Sequence, residues 1–145
     1  MKNARTLAVI GGGASGMAAA IEAAHQGVHV VLYESQARLG RKLLATGNGR
    51  CNFSHQGFND SNYHGTHPHF VHDALTQFHE ADTLAFFEAI GLAHMVDGRH
   101  RYYPASLQAS AVLDVLRLAL EEAGVEVHTD VRITAVQPQQ AGGFR

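Results

Sequence analysis

Three glycines and one glutamate carry the most specific chemistry that this sequence offers. Gly11-Gly12-Gly13-Ala14-Ser15-Gly16 contains the pattern GxGxxG through Gly11, Gly13 and Gly16. Each glycine has a physical task in such a loop. Gly11 permits a tight turn, Gly13 lacks a Cβ so that a pyrophosphate can approach the backbone, and Gly16 lets a helix pack closely on a strand. Ala14 and Ser15 open the expected helix, whose free N–H groups and positive dipole end face the phosphates. Glu34 follows Gly16 by 18 residues. A carboxylate there accepts hydrogen bonds from both hydroxyls of an adenosine ribose and repels a 2′-phosphate, which argues against NADP at this site. The plainer alternative is a glycine-rich turn followed by a surface glutamate. It leaves the agreement of strand, glycine spacing, helix and acid unexplained.

The elements that must position these residues are legible around them. Leu7 to Ile10 is an apolar run that ends in glycine, as in a buried strand. From Ala14 to Gln26, Met17, Ala20, Ile21 and Ala24 fall on one helical face, and Gly27 suits the stop. Val28 to Tyr33 is nearly all apolar and β-branched, like a parallel strand covered on both faces. Residues 7–34 therefore read as a βαβ dinucleotide-binding unit.

Residues 35–66 are rich in Gly, Asn, Arg and Ser and show little periodicity. A loop of that length in a compact domain is usually functional or disordered. Its stretch from Ala37 to Asn52 carries four cations, Arg38, Arg41, Lys42 and Arg50, with many unencumbered amides. That suits a cofactor gripped along its length, with amides and cations beside a flavin stabilising the charge that develops on reduction. It equally suits a solvated surface loop, and spacing within 7–34 does not separate FAD from NAD.

Residues 67–145 read as helices, a hairpin and a further αββ segment. Helical spacing appears at Phe70, Val71, Ala74, Leu75 and Phe78, then at Leu84, Phe87 and Ile90, with Gly91 as the stop. Met95–Val96 and Arg99–Tyr103 flank Asp97-Gly98, a hairpin signal. Val112, Leu113, Leu116, Ala119 and Leu120 form one apolar face, with Ser110 as a candidate cap and Gly124 just past the end. Val125–Val127 and Val131–Val136 read as strands. The fold class is α/β: a Rossmann-like domain with parallel sheet, helices and a β-hairpin.

The run Gly40-Arg41-Lys42-Leu43-Leu44-Ala45-Thr46-Gly47-Asn48-Gly49-Arg50-Cys51-Asn52, together with Gly11–Gly16 and Glu34, resembles a bacterial flavoprotein family. Its members are described as aminoacetone-oxidase-like or BaiN-like NAD(P)/FAD-dependent oxidoreductases. Gly98-Arg99, Tyr103-Pro104-Ala105-Ser106, the Ala109–Gly124 helix and Val131–Val136 resemble the same family, so the likeness spans essentially the whole chain. It implies a glutathione-reductase-like FAD domain in which Glu34 binds the ribose and Gly40–Asn52 runs beside the flavin. The backbone around Val131 would contact the adenine. Gly40, Arg41, Lys42, Asn48, Arg50 and Asn52 join the glycine loop as candidate cofactor residues. The family's members are far longer, so 1–145 is expected to be the N-terminal part of an FAD-binding domain. A further strand is expected to start near Phe144–Arg145, and the substrate-facing residues are expected elsewhere.

The implied function is hydride transfer through flavin N5, with NAD(P)H as a candidate electron donor and a small-molecule substrate. No catalytic acid or base stands out. The alternatives are a non-catalytic ADP-binding module and a histidine-based metal protein.

Composition bounds these readings. The 145 residues are 46% hydrophobic and 17% charged, enough for one domain with a buried core. The formal charge of −2 lacks the basic footprint of a nucleic-acid binder. No stretch reaches the ~20 apolar residues of a membrane span. Met1–Ala20, with Lys2 and Arg5, has the outline of a secretion leader, but its four glycines interrupt the apolar run. Cys51 is the single cysteine, so a reducing cytoplasmic setting is expected and a disulfide-reductase mechanism lacks its second sulfur. Cys51 itself reads as packed and unreactive. His64, His67, His69, His72 and His79 cluster without a metal motif and read as surface residues, with Pro68 starting a helix beyond His67. Phe86–Phe87 and Tyr102–Tyr103 read as packing.

Overall fold

A computed structural model describes residues 6–145. Lys2 and Arg5, the cationic flank of the leader alternative, lie outside the described residues. The chain divides into two compact units. One holds residues up to Lys42 together with Leu116–Arg145, and the other holds Leu43–Val115.

The first unit is built on a parallel sheet of β1 (Thr6–Ile10), β2 (His29–Tyr33) and β6 (Glu126–His128), in the order β1-β2-β6. Helix α1 (Ala14–His25) joins β1 to β2 and buries Met17, Ala20 and Ile21, the i, i+3, i+4 face read from the sequence. It ends as expected: Gly27 has φ +80°, and its N–H donates to the Ala24 carbonyl at 2.9 Å. Val30, Val31 and Leu32 of β2 are buried, consistent with a central strand covered on both faces.

Two sequence expectations fail in this unit. β1 is not buried: it is an edge strand with β2 as its one neighbour among the described residues, and Leu7 and Ile10 are 42% and 56% exposed. Val131–Val136 forms no strand. Its period-2 pattern sorts side chains onto two faces, but a strand also needs a partner in register. After Val131 donates to the Glu34 carbonyl the segment joins no ladder, and Ile133 and Val136 are exposed.

The second unit carries an antiparallel sheet of β3 (Ser54–His55), β4 (His94–Val96) and β5 (Arg101–Pro104), in the order β3-β5-β4. Helices α2 (His72–Gln77) and α3 (Glu80–Ala89) belong to it, with 3-10 turns at Leu43–Gly49, Asp60–Asn62 and Pro68–Val71. The Phe70–Phe78 periodicity does not become one amphipathic helix. It breaks at Val71, and Phe70 and Phe78 stay 78% and 53% exposed. The Leu84–Ile90 stretch does form a helix, and Gly91 at φ +88° stops it. Glu80 ties the unit together by accepting from the Tyr102 hydroxyl at 2.8 Å and the Gly57 N–H at 2.6 Å.

The β4–β5 hairpin forms as read, but with a longer turn than Asp97-Gly98. The left-handed residue is His100 at φ +61°, and the His100 N–H closes the turn onto the Asp97 carbonyl at 3.0 Å. Helix α4 (Ala109–Glu122) begins in the second unit and ends in the first. All five residues of its expected face are buried. Ser110 is not its cap, because the helix already includes Ala109.

Candidate functional site

The parallel register aligns Ile10 with Tyr33 and Tyr33 with His128, so the carboxyl ends of the three strands finish side by side. Ligands of open α/β sheets bind at that end. The Gly11 N–H donates to the Tyr33 carbonyl at 2.8 Å, and the Glu34 N–H to the His128 carbonyl at 2.8 Å. The ladder thus continues to the first residue of the glycine loop and to the acid.

Within the loop the glycines differ in what they allow. Gly11 has φ +104°, a conformation that L side chains rarely adopt. A Cβ on Gly16 would stand 1.9 Å from the Gly11 carbonyl oxygen, so the start of α1 is pressed onto the loop. A Cβ on Gly13 would meet no atom within 4 Å, which leaves open space over its backbone. Gly13 is the N-cap of α1 and provides no side-chain cap, and the first turn holds no acidic residue. The first intrahelical bond runs from the Met17 N–H to the Gly13 carbonyl at 2.9 Å. The N–H groups of Ala14, Ser15 and Gly16 therefore lie before the helical ladder, and Gly13, Ala14 and Ser15 are exposed. An uncapped, exposed helix start beneath an open glycine is a surface for phosphate oxygens.

Glu34 reaches back to this loop. Its Oε2 accepts the Gly12 N–H at 2.7 Å, and its Oε1 accepts the Gln36 N–H at 2.8 Å and the Ser35 hydroxyl at 3.1 Å. The Gln36 N–H is the main cause of a pKa held below the usual glutamate value. The Gly12 and Ser35 donors add to it, while partial burial opposes. The side chain is thus an ionised acceptor at the strand ends.

Two residues that the sequence reading passed over complete the arrangement. Gly12 is buried, and a Cβ there would lie 2.3 Å from Leu39 Cδ2 and 3.2 Å from Glu34 Cβ. Its carbonyl accepts the Gly40 N–H at 2.8 Å. The third consecutive glycine was the available signal. The Leu39 contact spans 27 residues of sequence, and no local pattern announces it. Val131 sits at the same end, its N–H donating to the Glu34 carbonyl at 2.9 Å, which leaves its own carbonyl for other partners.

The first unit thus brings Gly11, Gly13, Ala14, Ser15, Gly16, Glu34, Gly40 and Val131 to one end of its sheet. Arg41 and Lys42 follow as exposed cations, with Arg41 Nη1 donating to Gln36 Oε1 at 3.1 Å. Asn48, Arg50 and Asn52 belong to the second unit, in a tight segment where Gly47, Asn48, Gly49 and Cys51 all have positive φ. The Arg50 guanidinium lies 5.0 Å from the centre of the Tyr103 ring. Asn52, with its amide nitrogen turned inward, donates to the carbonyls of Tyr102 at 3.1 Å and Ser54 at 2.7 Å. That bond spans β3 and β5, a structural task for a residue read from the sequence as a cofactor ligand.

Cys51 is buried, and burial pushes its thiol up, partly offset by a hydrogen bond from Thr46. The five clustered histidines are exposed. His69 and His72 do not share a helix, since α2 starts at His72. His72 Nδ1 instead meets Asp60 Oδ2 at 2.6 Å, which raises the histidine's pKa. Among the described residues, no three His, Cys, Asp or Glu side chains converge as metal ligands.

Comparison with known proteins agrees with this geometry. Residues 5–145 match the family model described as the HI0933-like protein Rossmann domain. The chain is 41% identical over 138 residues to the 3-dehydro-bile acid delta(4,6)-reductase of Clostridium scindens, covering 94% of this chain and 34% of the reductase. It is 31% identical over 86 residues to the ribosomal RNA dihydrouridine synthase of Haemophilus influenzae, covering 59% of this chain and 21% of that protein. The chain therefore spans about a third of the reductase's length, and its match to the synthase covers about a fifth of that protein. In fold it is similar to the 3-ketosteroid-delta4-(5alpha)-dehydrogenase of Rhodococcus jostii RHA1, with TM-score 0.61 and 16% identity over 90% of this chain and 38% of that one. The family match covers nearly the whole sequence, and the first relative fits the BaiN-like resemblance of Gly40–Asn52. The chain belongs to the HI0933-like Rossmann-domain family.

Proposed function

We propose that this chain is the FAD-binding domain of a reductase that adds hydrogen across a carbon–carbon double bond of a small unsaturated substrate, with NAD(P)H as electron donor. The observation that carries the cofactor half is the pairing of an open, uncapped helix start at Gly13–Gly16 with an ionised carboxylate on Gly12. Pyrophosphate oxygens accept from the N–H groups of Ala14, Ser15 and Gly16, and Gly13 leaves them room. Glu34 accepts from the adenosine ribose, and the backbone around Val131 contacts the adenine. Gly40, Arg41 and Lys42 of the same unit are the residues offered to the rest of the cofactor. When bound, FAD supplies hydride transfer through N5.

One relative is named a delta(4,6)-reductase and the other makes dihydrouridine, which supports that reaction class. The bile-acid reductase matches 94% of this chain against 59% for the RNA enzyme, and the charge of −2 gives no electrostatic grip on RNA. A small-molecule substrate is therefore favoured. We place the protein in the cytoplasm, where its buried free cysteine stays reduced.

A second reading, an ADP-binding module without catalysis, draws on the glycine loop, Glu34 and Val131 all lying in one unit. The visible spectrum of the purified protein separates the two. Bound oxidised flavin colours it yellow, whereas stabilisation by ADP without colour supports the module.

A further inference from the structure

We propose that Glu34 is a bracket for the glycine loop as well as a ribose acceptor: its two carboxylate oxygens tie the loop to the turn after β2 and hold the phosphate-binding backbone in shape before any nucleotide arrives. The proposal rests on the nucleotide-binding reading above. One oxygen takes the Gly12 N–H at 2.7 Å, while the other takes the Gln36 N–H at 2.8 Å. Those donors lie in different segments, one in the loop before α1 and one in the turn after β2. The Gly12 carbonyl is held in turn by the Gly40 N–H at 2.8 Å, so both polar groups of Gly12 are engaged by residues 34–40.

Gly12 is buried, so its N–H loses its acceptor if the carboxylate leaves. Gly13, which must stay open, is the next residue. An ionised carboxylate offers about four acceptor positions and no donor. Three are used here by Gly12, Ser35 and Gln36, and the exposed Ser35 hydroxyl is free to turn away for a ligand. A glutamine in this place has one acceptor oxygen, so its NH2 would confront either the Gly12 or the Gln36 N–H.

Inorganic pyrophosphate is the deciding probe because it has no ribose. Removing a negative charge beside an anion site should by simple electrostatics tighten pyrophosphate binding. The bracket predicts the reverse. Glu34→Gln should weaken both ADP and inorganic pyrophosphate by at least about tenfold, the scale of a hydrogen bond to a charged group. The Gly12 amide should also exchange with solvent faster in the nucleotide-free protein. Glu34→Asp keeps the charge with a shorter reach; it should leave the Gln36 amide protected and the Gly12 amide unprotected, and it carries the test if the glutamine variant does not fold. If ADP affinity falls while pyrophosphate affinity and Gly12 exchange stay unchanged, Glu34 is a ribose ligand only and the bracket is overturned. If the unsubstituted protein binds neither ADP nor pyrophosphate, the nucleotide reading fails instead, and Gly12 exchange in the variants still decides the bracket.

Discussion

The Gly16 Cα faces the Gly11 carbonyl so closely that a methyl group on it would stand 1.9 Å from the oxygen. That oxygen is backbone and cannot step aside as a side chain would. Gly16→Ala should therefore push α1 off the loop and destabilise the protein by about 2–4 kcal/mol, the range of severe overpacking. Chemical denaturation measures it, and a loss under about 0.5 kcal/mol would contradict the close packing.

Gly13 should behave in the opposite way. A Cβ there meets nothing within 4 Å, so Gly13→Ala should leave stability within about 0.5 kcal/mol of the parent. The methyl would stand where phosphate oxygens approach, and ADP affinity should fall about tenfold or more. Thermal melting and calorimetric titration of the same sample separate the two effects.

Under the proposed function, Glu34 makes nucleotide binding depend on pH. Its folded pKa lies below the usual glutamate value because backbone N–H groups favour the carboxylate. A depressed carboxylate contributes stability that is full above its unfolded value and is lost as pH falls through the folded one. ADP affinity should hold at neutral pH and decline only in acid, and Glu34→Gln should remove that decline. Titrations across the acid range check it.

Cys51 should be inert while the protein is folded. Burial raises its pKa, so the thiolate is scarce at neutral pH. Iodoacetamide should label it far more slowly than a free thiol, with full labelling once denaturant is added.

The hairpin turn depends on Asp97. Its Oδ1 accepts from the N–H groups of Arg99 at 2.9 Å and Arg101 at 3.1 Å, and its Oδ2 from Arg101 Nε at 2.9 Å. The Arg101 guanidinium holds this carboxyl well below the usual aspartate range. Asp97→Asn should lower the melting temperature at neutral pH. That difference should persist through mild acid and vanish only in strong acid, where the parent carboxyl is protonated too.

The sequence was most informative where local rules decide structure. Met17, Ala20 and Ile21 marked the face of α1, Gly27 its end, and the spacing to Glu34 placed an acid at the strand ends. It was least informative where a partner decides. Ile10 looked buried because it is apolar, but β1 lies at an edge. Val131–Val136 looked like a strand, but no neighbour among the described residues pairs with it. Ser54–His55 pairs with β5 from inside a polar loop, with two residues too few to show a period. Leu39 reached Gly12 through tertiary packing alone.

Titration of FAD into the purified protein, followed by flavin fluorescence and repeated with Gly13→Leu, bears most directly on the nucleotide site. Saturable binding of about one FAD per chain is expected, lost in the leucine variant while its melting temperature stays close to the parent's. Equal binding by both proteins, or none by the parent, would contradict a cofactor seated on the Gly11–Gly16 loop.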